Sequence, residues 1–263
     1  MSKTTQDANQ LLKNAQQEGD LSQKSMQALT NIDIGAQIQA GLGVAADDVQ
    51  ASDVFLISML VDDSGSIEMA GNTQLVKDGH NLHLASFADS KQKESFLVHC
   101  RYLNGKILYP FKKLQDADKM DGHNYRPGGG TPLYDQTLVT LATVVAKTKE
   151  FEDSGVPVRT ITSIITDGAD TSSHATASQV KSIIEDMLKK EKHIVAFMAI
   201  DDGQTDFKAV ARSMGIRPEW LLTPKNDPKE IRKAFNVLSQ SAVRASQNAA
   251  SFSKTALGGF GAP

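Results

Sequence analysis

Short apolar runs alternate along this chain with longer stretches of helical periodicity. The clearest runs cover 53–61, 158–166 and 193–200, and each is followed directly by polar turn residues. A short apolar run with such boundaries is typical of a strand buried on both faces of a parallel sheet. Strands that alternate with helices predict an α/β fold, here a three-layer α/β/α sandwich around a mostly parallel, doubly wound sheet.

Helical periodicity and boundary residues locate the intervening helices. They predict helices at about 70–88, 132–150, 175–190, 204–214 and 228–247. Thr131 and Pro132 are expected as the N-cap and first residue of the second helix. Gly79, in the middle of the first, is expected to let that helix approach the sheet closely.

One strand is expected to run against the others. Asn104 and Gly105 separate two apolar segments, 94–103 and 106–111. Asn-Gly between apolar runs is the strongest short-range signal for a β-hairpin. The sheet should therefore carry one antiparallel edge strand, and a short last strand is expected at 220–222.

The two ends of the chain differ in composition from the central domain, 52–247. Residues 1–51 are predicted to form an extension with weak helices interrupted near Gly19 and an irregular lead-in from residue 31. The extension could be a partner-docking arm, or a helix that covers a sheet edge, which is the simpler interpretation. The Gly-, Ala- and Ser-rich tail, 248–263, is expected to be flexible.

Composition excludes several classes of function. The chain has 263 residues, a formal charge of −3 and one cysteine. It has no basic cluster, so no nucleic-acid partner is expected. No apolar stretch approaches the roughly 20 residues of a membrane span, and the polar N-terminus does not resemble a signal peptide. The lone Cys100 is expected in a buried strand and fits a reducing compartment, so we expect a cytoplasmic location.

Three polar loops contain the candidate chemistry. Asp62, Ser64 and Ser66 follow the first strand, Thr131 precedes a helix, and Asp167 follows the strand at 158–166. Loops at the carboxyl ends of parallel strands can converge on one ligand site. Two carboxylates and three hydroxyls are hard oxygen donors of the kind that Mg²⁺ prefers. Taken singly, the two aspartates could be turn formers, and the hydroxyls could cap helices.

As a set and in order, these five residues resemble the metal-ion-dependent adhesion site of the von Willebrand factor A (vWA) family. The resemblance covers roughly 52–245 and is nearest to the intracellular bacterial and archaeal members. It implies that the three hydroxyls bind the ion, with the two aspartates acting directly or through water. It further implies Mg²⁺, with Mn²⁺ or Ca²⁺ as alternatives, and a partner protein that supplies an Asp or Glu carboxylate. An adaptor role in an ATPase-linked or stress-response complex is compatible with it.

A metal-dependent hydrolase or phosphatase is the alternative. Haloacid-dehalogenase-like phosphatases also place an aspartate after the first strand, but they need a second aspartate two positions on, where this chain has Ser64. Neither a nucleophile elbow nor a phosphate-binding loop occurs in the sequence. We therefore expect a binding protein and not an enzyme.

Other polar residues carry weaker signals. His80 and His83 lie three residues apart on a predicted helix, but no further zinc ligands accompany them. The remaining candidates are expected to be packed histidines or solvated loop residues at the rim of the site. These are His99, His193, Asp121, His123, Asp170 and Asp201.

Overall fold

A computed structural model describes residues 7–30, 34–88, 90, 92–247, 252 and 258–261. Its strands are β1 (Val54–Val61), β2 (Phe96–Tyr102), β3 (Ile107–Lys113), β4 (Val158–Thr166), β5 (His193–Ala199) and β6 (Leu221–Leu222). They form one sheet in the order β3-β2-β1-β4-β5-β6, in which β3 is antiparallel to β2 and the other pairs are parallel. The predicted fold class is confirmed, including the antiparallel edge strand after the Asn-Gly turn.

The α-helices lie on both faces of the sheet. They are α1 (Ala8–Gln17), α2 (Gln23–Thr30), α3 (Gly35–Leu42), α4 (Gly65–Met69), α5 (Thr73–Ala88), α6 (Leu133–Asp153), α7 (Ala177–Leu188), α8 (Phe207–Ser213) and α9 (Pro228–Gln247). Short 3-10 helices occur at Ala46–Asp48, Lys93–Ser95, Leu114–Asp116, Pro218–Trp220 and Gly259–Gly261.

The clearest differences from the predictions concern α3, α4 and the start of α6. The expected irregular lead-in contains helix α3, and the predicted helix at 70–88 is preceded by the separate short helix α4. The N-cap of α6 is Pro132, without a side-chain cap, so the prediction that Thr131 caps this helix was wrong. The backbone of Thr131 is instead paired with Thr171.

Two apolar layers lie on opposite faces of the sheet, and β1 contributes to both. Its side chains alternate, because successive residues of a strand point to opposite faces. Leu56 and Leu60 belong to the layer under α6 and α7, whereas Phe55, Ile57 and Val61 belong to the layer under α5 and α9. Every residue of β1 is buried, which explains the unbroken apolar run in the sequence.

Helices α1 and α3 pack on the outer side of α6. The polar groups of this contact are buried and paired. Glu150 Oε1 accepts from the backbone N–H of Ala46 at 3.0 Å, and Glu150 Oε2 accepts from Lys147 Nζ at 2.8 Å. Lys147 also donates to the carbonyl of Val44. The described part of the N-terminal extension is therefore packed against the sandwich.

Gly79 lies where two helices meet. A Cβ at this position would be 2.4 Å from atoms of the Phe235 ring, so glycine is required by the contact between α5 and α9. The prediction that Gly79 brings its helix close to the sheet named the wrong neighbour, because the close contact is with α9.

The buried histidines make structural hydrogen bonds. His80 Nε2 lies 2.8 Å from the Tyr109 hydroxyl, and His83 Nδ1 lies 3.0 Å from Ser239 Oγ. His99 Nδ1 lies 3.0 Å from the carbonyl oxygen of Tyr109. In a similar way, His193 Nδ1 lies 2.8 Å from Thr160 Oγ1. The expectation of packed or hydrogen-bonded histidines is confirmed for His99 and His193, and Cys100 is buried in β2 as predicted.

Most of the predicted flexible tail, 248–263, lies outside the described residues. Of those that are described, Phe252 is buried, and the Phe260 ring meets the Trp220 ring with centroids 4.9 Å apart. Within the described ranges, none of the helices combines the length and apolar character that crossing a bilayer would demand.

Candidate metal centre

The candidate residues lie at the carboxyl ends of two neighbouring strands and in a loop above them. Strands β1 and β4 are paired in parallel up to Val61 and Ile165, and the N–H of Asp62 extends the ladder by donating to the Ile165 carbonyl at 2.9 Å. Asp62 and Asp167 therefore leave adjacent strands at the same edge. This is the edge where open α/β sheets bind ligands.

The carboxylate of Asp62 is fully buried and fixed by two hydrogen bonds. Its Oδ1 accepts from the Ser64 N–H at 2.7 Å, and its Oδ2 accepts from the Thr166 hydroxyl at 2.6 Å. The Tyr125 hydroxyl donates to the Asp62 carbonyl at 2.5 Å. These contacts set the position of the whole loop that follows β1.

A chain of hydroxyls links the first loop to Asp167. Ser64 Oγ and Ser66 Oγ are 2.8 Å apart, and Ser66 Oγ donates to Asp167 Oδ1 at 2.5 Å. Ser64 is the N-cap residue of α4, but its side chain makes no capping hydrogen bond. The alternative in which Ser64 serves as a side-chain cap is therefore wrong.

Thr131 brings the third loop to the same point. Its N–H donates to Thr171 Oγ1 at 2.9 Å, and its carbonyl accepts from the Thr171 N–H at 3.0 Å. A Cβ built on Gly168 would lie 3.8 Å from Thr131 Oγ1 and 3.9 Å from Ser66 Oγ. The two hydroxyls thus flank one small space beside Gly168, and the structure brings all five predicted side chains to one place.

Backbone hydrogen bonds hold the glycine-rich loop against the first loop. The N–H of Gly65 donates to the Gly129 carbonyl at 3.1 Å, and the N–H of Gly128 donates to the Asp63 carbonyl at 2.7 Å. Asp63 itself faces the β2–β3 hairpin, where its Oδ1 accepts from the Asn104 N–H at 3.0 Å. Asp63 therefore lies outside the candidate ligand set.

The electrostatics of the site favour a cation. The pKa of Asp167 is raised to about 6, chiefly by burial; the hydrogen bond from Ser66 lowers it, and the negative charges of Asp62 and Asp202 add to the rise. In the described part of the chain, neither Asp62 nor Asp167 forms an ion pair with lysine or arginine. Two buried carboxylates without a cationic partner are costly.

The donor set fits a hard divalent cation. It consists of oxygen atoms only, which suits Mg²⁺, Mn²⁺ or Ca²⁺ and not a thiolate- or imidazole-bound metal. Over the described ranges, no group of three or more His, Cys, Asp or Glu side chains is arranged to hold a metal. Any ion held here would therefore depend on the three hydroxyls as well as the two carboxylates.

The other rim carboxylates accept hydrogen bonds from backbone N–H groups, in their own loop or in a neighbouring element. Asp121 Oδ1 accepts from the His123 N–H at 2.7 Å, and Asp201 Oδ1 accepts from the Gly203 N–H at 2.9 Å. Asp170 Oδ1 accepts from the Tyr134 N–H at 3.2 Å, which ties the loop after β4 to the start of α6. These contacts match the expectation of loop residues at the rim.

Sequence reasoning missed the three residues that hold the ligand set in position: Thr166, Tyr125 and Thr171. Thr166 stands directly before Asp167, so its place at a strand end was a usable signal. Tyr125 and Thr171 belong to loops whose distance from the site is not encoded in local sequence.

The chain was compared with known proteins. Its sequence matches no protein-family model, and the search of curated proteins gives no match either. Among solved structures, it is similar to the open pilus adhesin SpaC of Lactobacillus rhamnosus GG, with a TM-score of 0.53 and 17% identity over 74% of this chain and 31% of that chain. It is also similar to proximal thread matrix protein 1 of the mussel byssus, with a TM-score of 0.50 and 17% identity over 73% of this chain and 47% of that chain.

The chain thus spans about a third of the length of SpaC and about half of that of the mussel protein. Identities this low establish similarity of fold alone. A further neighbour, the SpRpn10 VWA domain, has a TM-score of 0.49 and 11% identity over 70% of this chain and 94% of that one. The strand order, the single antiparallel edge strand and the flanking helices define a vWA/Rossmann-like α/β fold.

Proposed function

We propose that this chain is a metal-dependent protein-binding module, which captures an acidic residue of a partner protein through a divalent cation held at the candidate metal centre. It acts as a non-enzymatic adaptor in an intracellular complex. The observation that carries the proposal is the convergence of three loops, with Thr131 Oγ1 and Ser66 Oγ each within 4 Å of the Cβ position of Gly168.

The residues of the chain have distinct tasks in this proposal. The hydroxyls of Ser64, Ser66 and Thr131 hold the cation, and Asp62 and Asp167 hold it directly or through water. Thr166 fixes the Asp62 carboxylate by hydrogen bonding. When bound, Mg²⁺ supplies an electrophilic centre that favours an anionic oxygen, such as an Asp or Glu carboxylate.

The surface around the site suits a protein partner. Gly128, Gly129 and Gly130 are exposed beside it, and a Cβ on Gly128 or Gly129 would meet nothing within 4 Å. Backbone without side chains leaves a flat approach, over which a partner segment can lie. A haloacid-dehalogenase-like phosphatase would need an aspartate as acid/base where Ser64 stands, so this position supports the binding function over that phosphatase alternative.

Calorimetric titration with Mg²⁺ tests the metal. Asp167→Asn should weaken Mg²⁺ binding at least tenfold, because it removes one of two carboxylates. Asp116→Asn, at an exposed aspartate on the 3-10 helix Leu114–Asp116, is the matched control and should bind as wild type does. Equal Mg²⁺ affinity in both variants would overturn the site assignment.

Affinity purification from cell extract, with Mg²⁺ or with EDTA, tests the partner. The same partner should be retained by wild type in Mg²⁺ and lost with EDTA or with Asp167→Asn. An unchanged set of partners in EDTA would overturn the proposed function. Hydrolysis of p-nitrophenyl phosphate that depends on Mg²⁺ and on Asp62 would instead establish the enzymatic alternative.

A further inference from the structure

An exposed methionine lies beside the candidate metal centre. Among the described residues, the large hydrophobic side chains that are exposed are Met69, at 84%, and Leu82, at 38%. A single exposed apolar side chain is ordinary on a protein surface, so exposure alone carries no conclusion. The position of Met69 is the informative property, because it is the last residue of α4, whose first turn contains Ser66.

Ser66 and Met69 lie three residues apart on one helix. Residues with this spacing share a helix face, with Cβ atoms about 5–6 Å apart. The Ser66 hydroxyl meets Asp167 Oδ1 at 2.5 Å and so marks the centre of the site. The exposed Met69 side chain therefore lies on the same face of α4 as this hydroxyl, next to the site.

Exposed backbone also borders the site. The exposed Gly128–Gly130 segment is held against the start of α4 by the hydrogen bond from the Gly65 N–H to the Gly129 carbonyl, at 3.1 Å. The site is therefore bordered by the exposed backbone of Gly128–Gly130 and by the exposed Met69 side chain. Exposed borders of this kind suit an extended peptide segment and offer little enclosure to a small molecule.

We infer that Met69 is a specificity-determining contact, which selects partner segments with an apolar side chain next to the acidic residue. The inference rests on the proposed function, since it concerns the same site. Methionine is unbranched and polarisable, and adapts to apolar partners of different shape. Burial of such a side chain against a leucine should strengthen binding about tenfold.

The test uses two acetylated and amidated peptides, Gly-Leu-Asp-Leu-Gly and Gly-Gly-Asp-Gly-Gly. Each is titrated, with Mg²⁺ or with EDTA, into protein labelled with ¹³C at the methionine methyl groups. The Met69 signal is identified by its loss in Met69→Gln. Leu82→Gln, which alters the other exposed apolar side chain, is the matched control, and thermal melting verifies that both variants are folded.

With Mg²⁺, the leucine peptide should bind wild type and Leu82→Gln about tenfold more tightly than the glycine peptide, and it should shift the Met69 methyl signal. In Met69→Gln, the two peptides should bind with equal affinity, similar to that of the glycine peptide for wild type. A leucine preference that persists in Met69→Gln, or no preference in wild type, would overturn the role of Met69 alone. Binding of neither peptide, or equal binding in EDTA, would overturn the proposed function together with this inference.

Discussion

The hydroxyl of Ser66 donates to Asp167 Oδ1 at 2.5 Å and joins two loops whose residues are 101 positions apart in the chain. This bond connects the carboxyl ends of β1 and β4 through the ligand set itself. A cation bound at these oxygens would therefore cross-link the two loops in the folded state. Binding of the cation should then raise the free energy of unfolding.

Mg²⁺ is expected to raise the melting temperature of wild type. At a concentration 100 times its dissociation constant, a ligand adds about 2.7 kcal/mol, which corresponds to roughly 5–10 °C for a chain of this size. Ser66→Ala should lose most of this increase, because it removes one ligand and its bond to Asp167. Differential scanning fluorimetry with Mg²⁺ and EDTA measures the effect. Ser178→Ala, at an exposed serine of α7, is the control and should retain the full increase in melting temperature.

Substitution of Gly79 should weaken the packing of α9. Alanine favours the helix by about 0.8–1.0 kcal/mol, whereas overpacking a tight contact costs about 1–3 kcal/mol. Because a Cβ would lie 2.4 Å from the Phe235 ring, Gly79→Ala should lower the free energy of unfolding in urea. Gly122→Ala, where a Cβ meets open space, is the control. Recovery of stability in Gly79→Ala/Phe235→Leu would identify the ring as the cause.

Loss of one partner of the buried pair Lys147 and Glu150 should strongly lower the free energy of unfolding. Both side chains are buried, and Glu150 accepts from Lys147 Nζ at 2.8 Å. Lys147→Met leaves a buried, unpaired carboxylate and should cost about 3–5 kcal/mol in urea unfolding. Adding Glu150→Gln should recover part of this loss, since a neutral amide oxygen can still accept from the Ala46 N–H. No recovery in the double variant would contradict the electrostatic explanation.

An exposed ion pair serves as the comparison for that result. Lys181 Nζ lies 3.8 Å from Glu185 Oε1 on the surface of α7. Lys181→Met should change the free energy of unfolding by less than about 1 kcal/mol, because exposed pairs contribute little. A cost similar to that of Lys147→Met would show that burial is not the cause.

A fall in pH should lower the free energy of unfolding, because the buried histidines stay neutral in the folded state. Burial lowers the pKa of His193 to about 3, with Lys192 and Lys190 lowering it and Asp20 raising it. Since the unfolded histidine titrates near pH 6.5, the unfolded state binds more protons below that pH. The contribution of His193 is therefore fully present above pH 6.5 and is lost as the pH falls toward 3.

His193→Gln tests this linkage and retains a side chain that can bond to Thr160. Between pH 6.5 and 4.5, the wild type should lose about 2 kcal/mol more than the variant in chemical unfolding. Stability is plotted against pH for the wild type and for the variant, and the difference between the two curves isolates His193. Asp63 and Asp167 also change stability over this pH range, and equally in both proteins, because burial raises their pKa to about 6. Their contribution has the opposite sign, being present below the unfolded pKa of 3.8 and lost as the pH rises through 6. Parallel curves would contradict the prediction.

Local sequence signals located most of the fold. Strand β4 and helix α9 have the predicted bounds, because apolar runs and helix-start residues are properties of a few adjacent positions. Helix α3 was missed because its glycines disfavour an isolated helix. Its Gly41 lies against Thr143 of α6, where a Cβ would be 2.7 Å from the Thr143 side chain, so this helix depends on a tertiary contact.

The candidate site likewise has one part that local sequence predicts and another part that it does not. The order Asp-x-Ser-x-Ser, Thr, Asp and the rule for strand ends identified the five side chains that the structure brings together. The residues that position them depend on distances between loops, as with the bond from Tyr125 to Asp62 at 2.5 Å. Ion binding by the five residues stays a prediction.

Helix α6 is buried on every side from Gln136 to Phe151, although it would be an outer helix in a bare three-layer sandwich. Its polar side, which includes Lys147 and Glu150, is covered by the segment from α1 to the 3-10 helix at Ala46–Asp48. The N-terminal segment consequently adds a fourth layer to the sandwich on that side. A partner could not contact α6 without displacing this segment, so the proposed partner is expected at the edge with the candidate metal centre or on the side of α5 and α9.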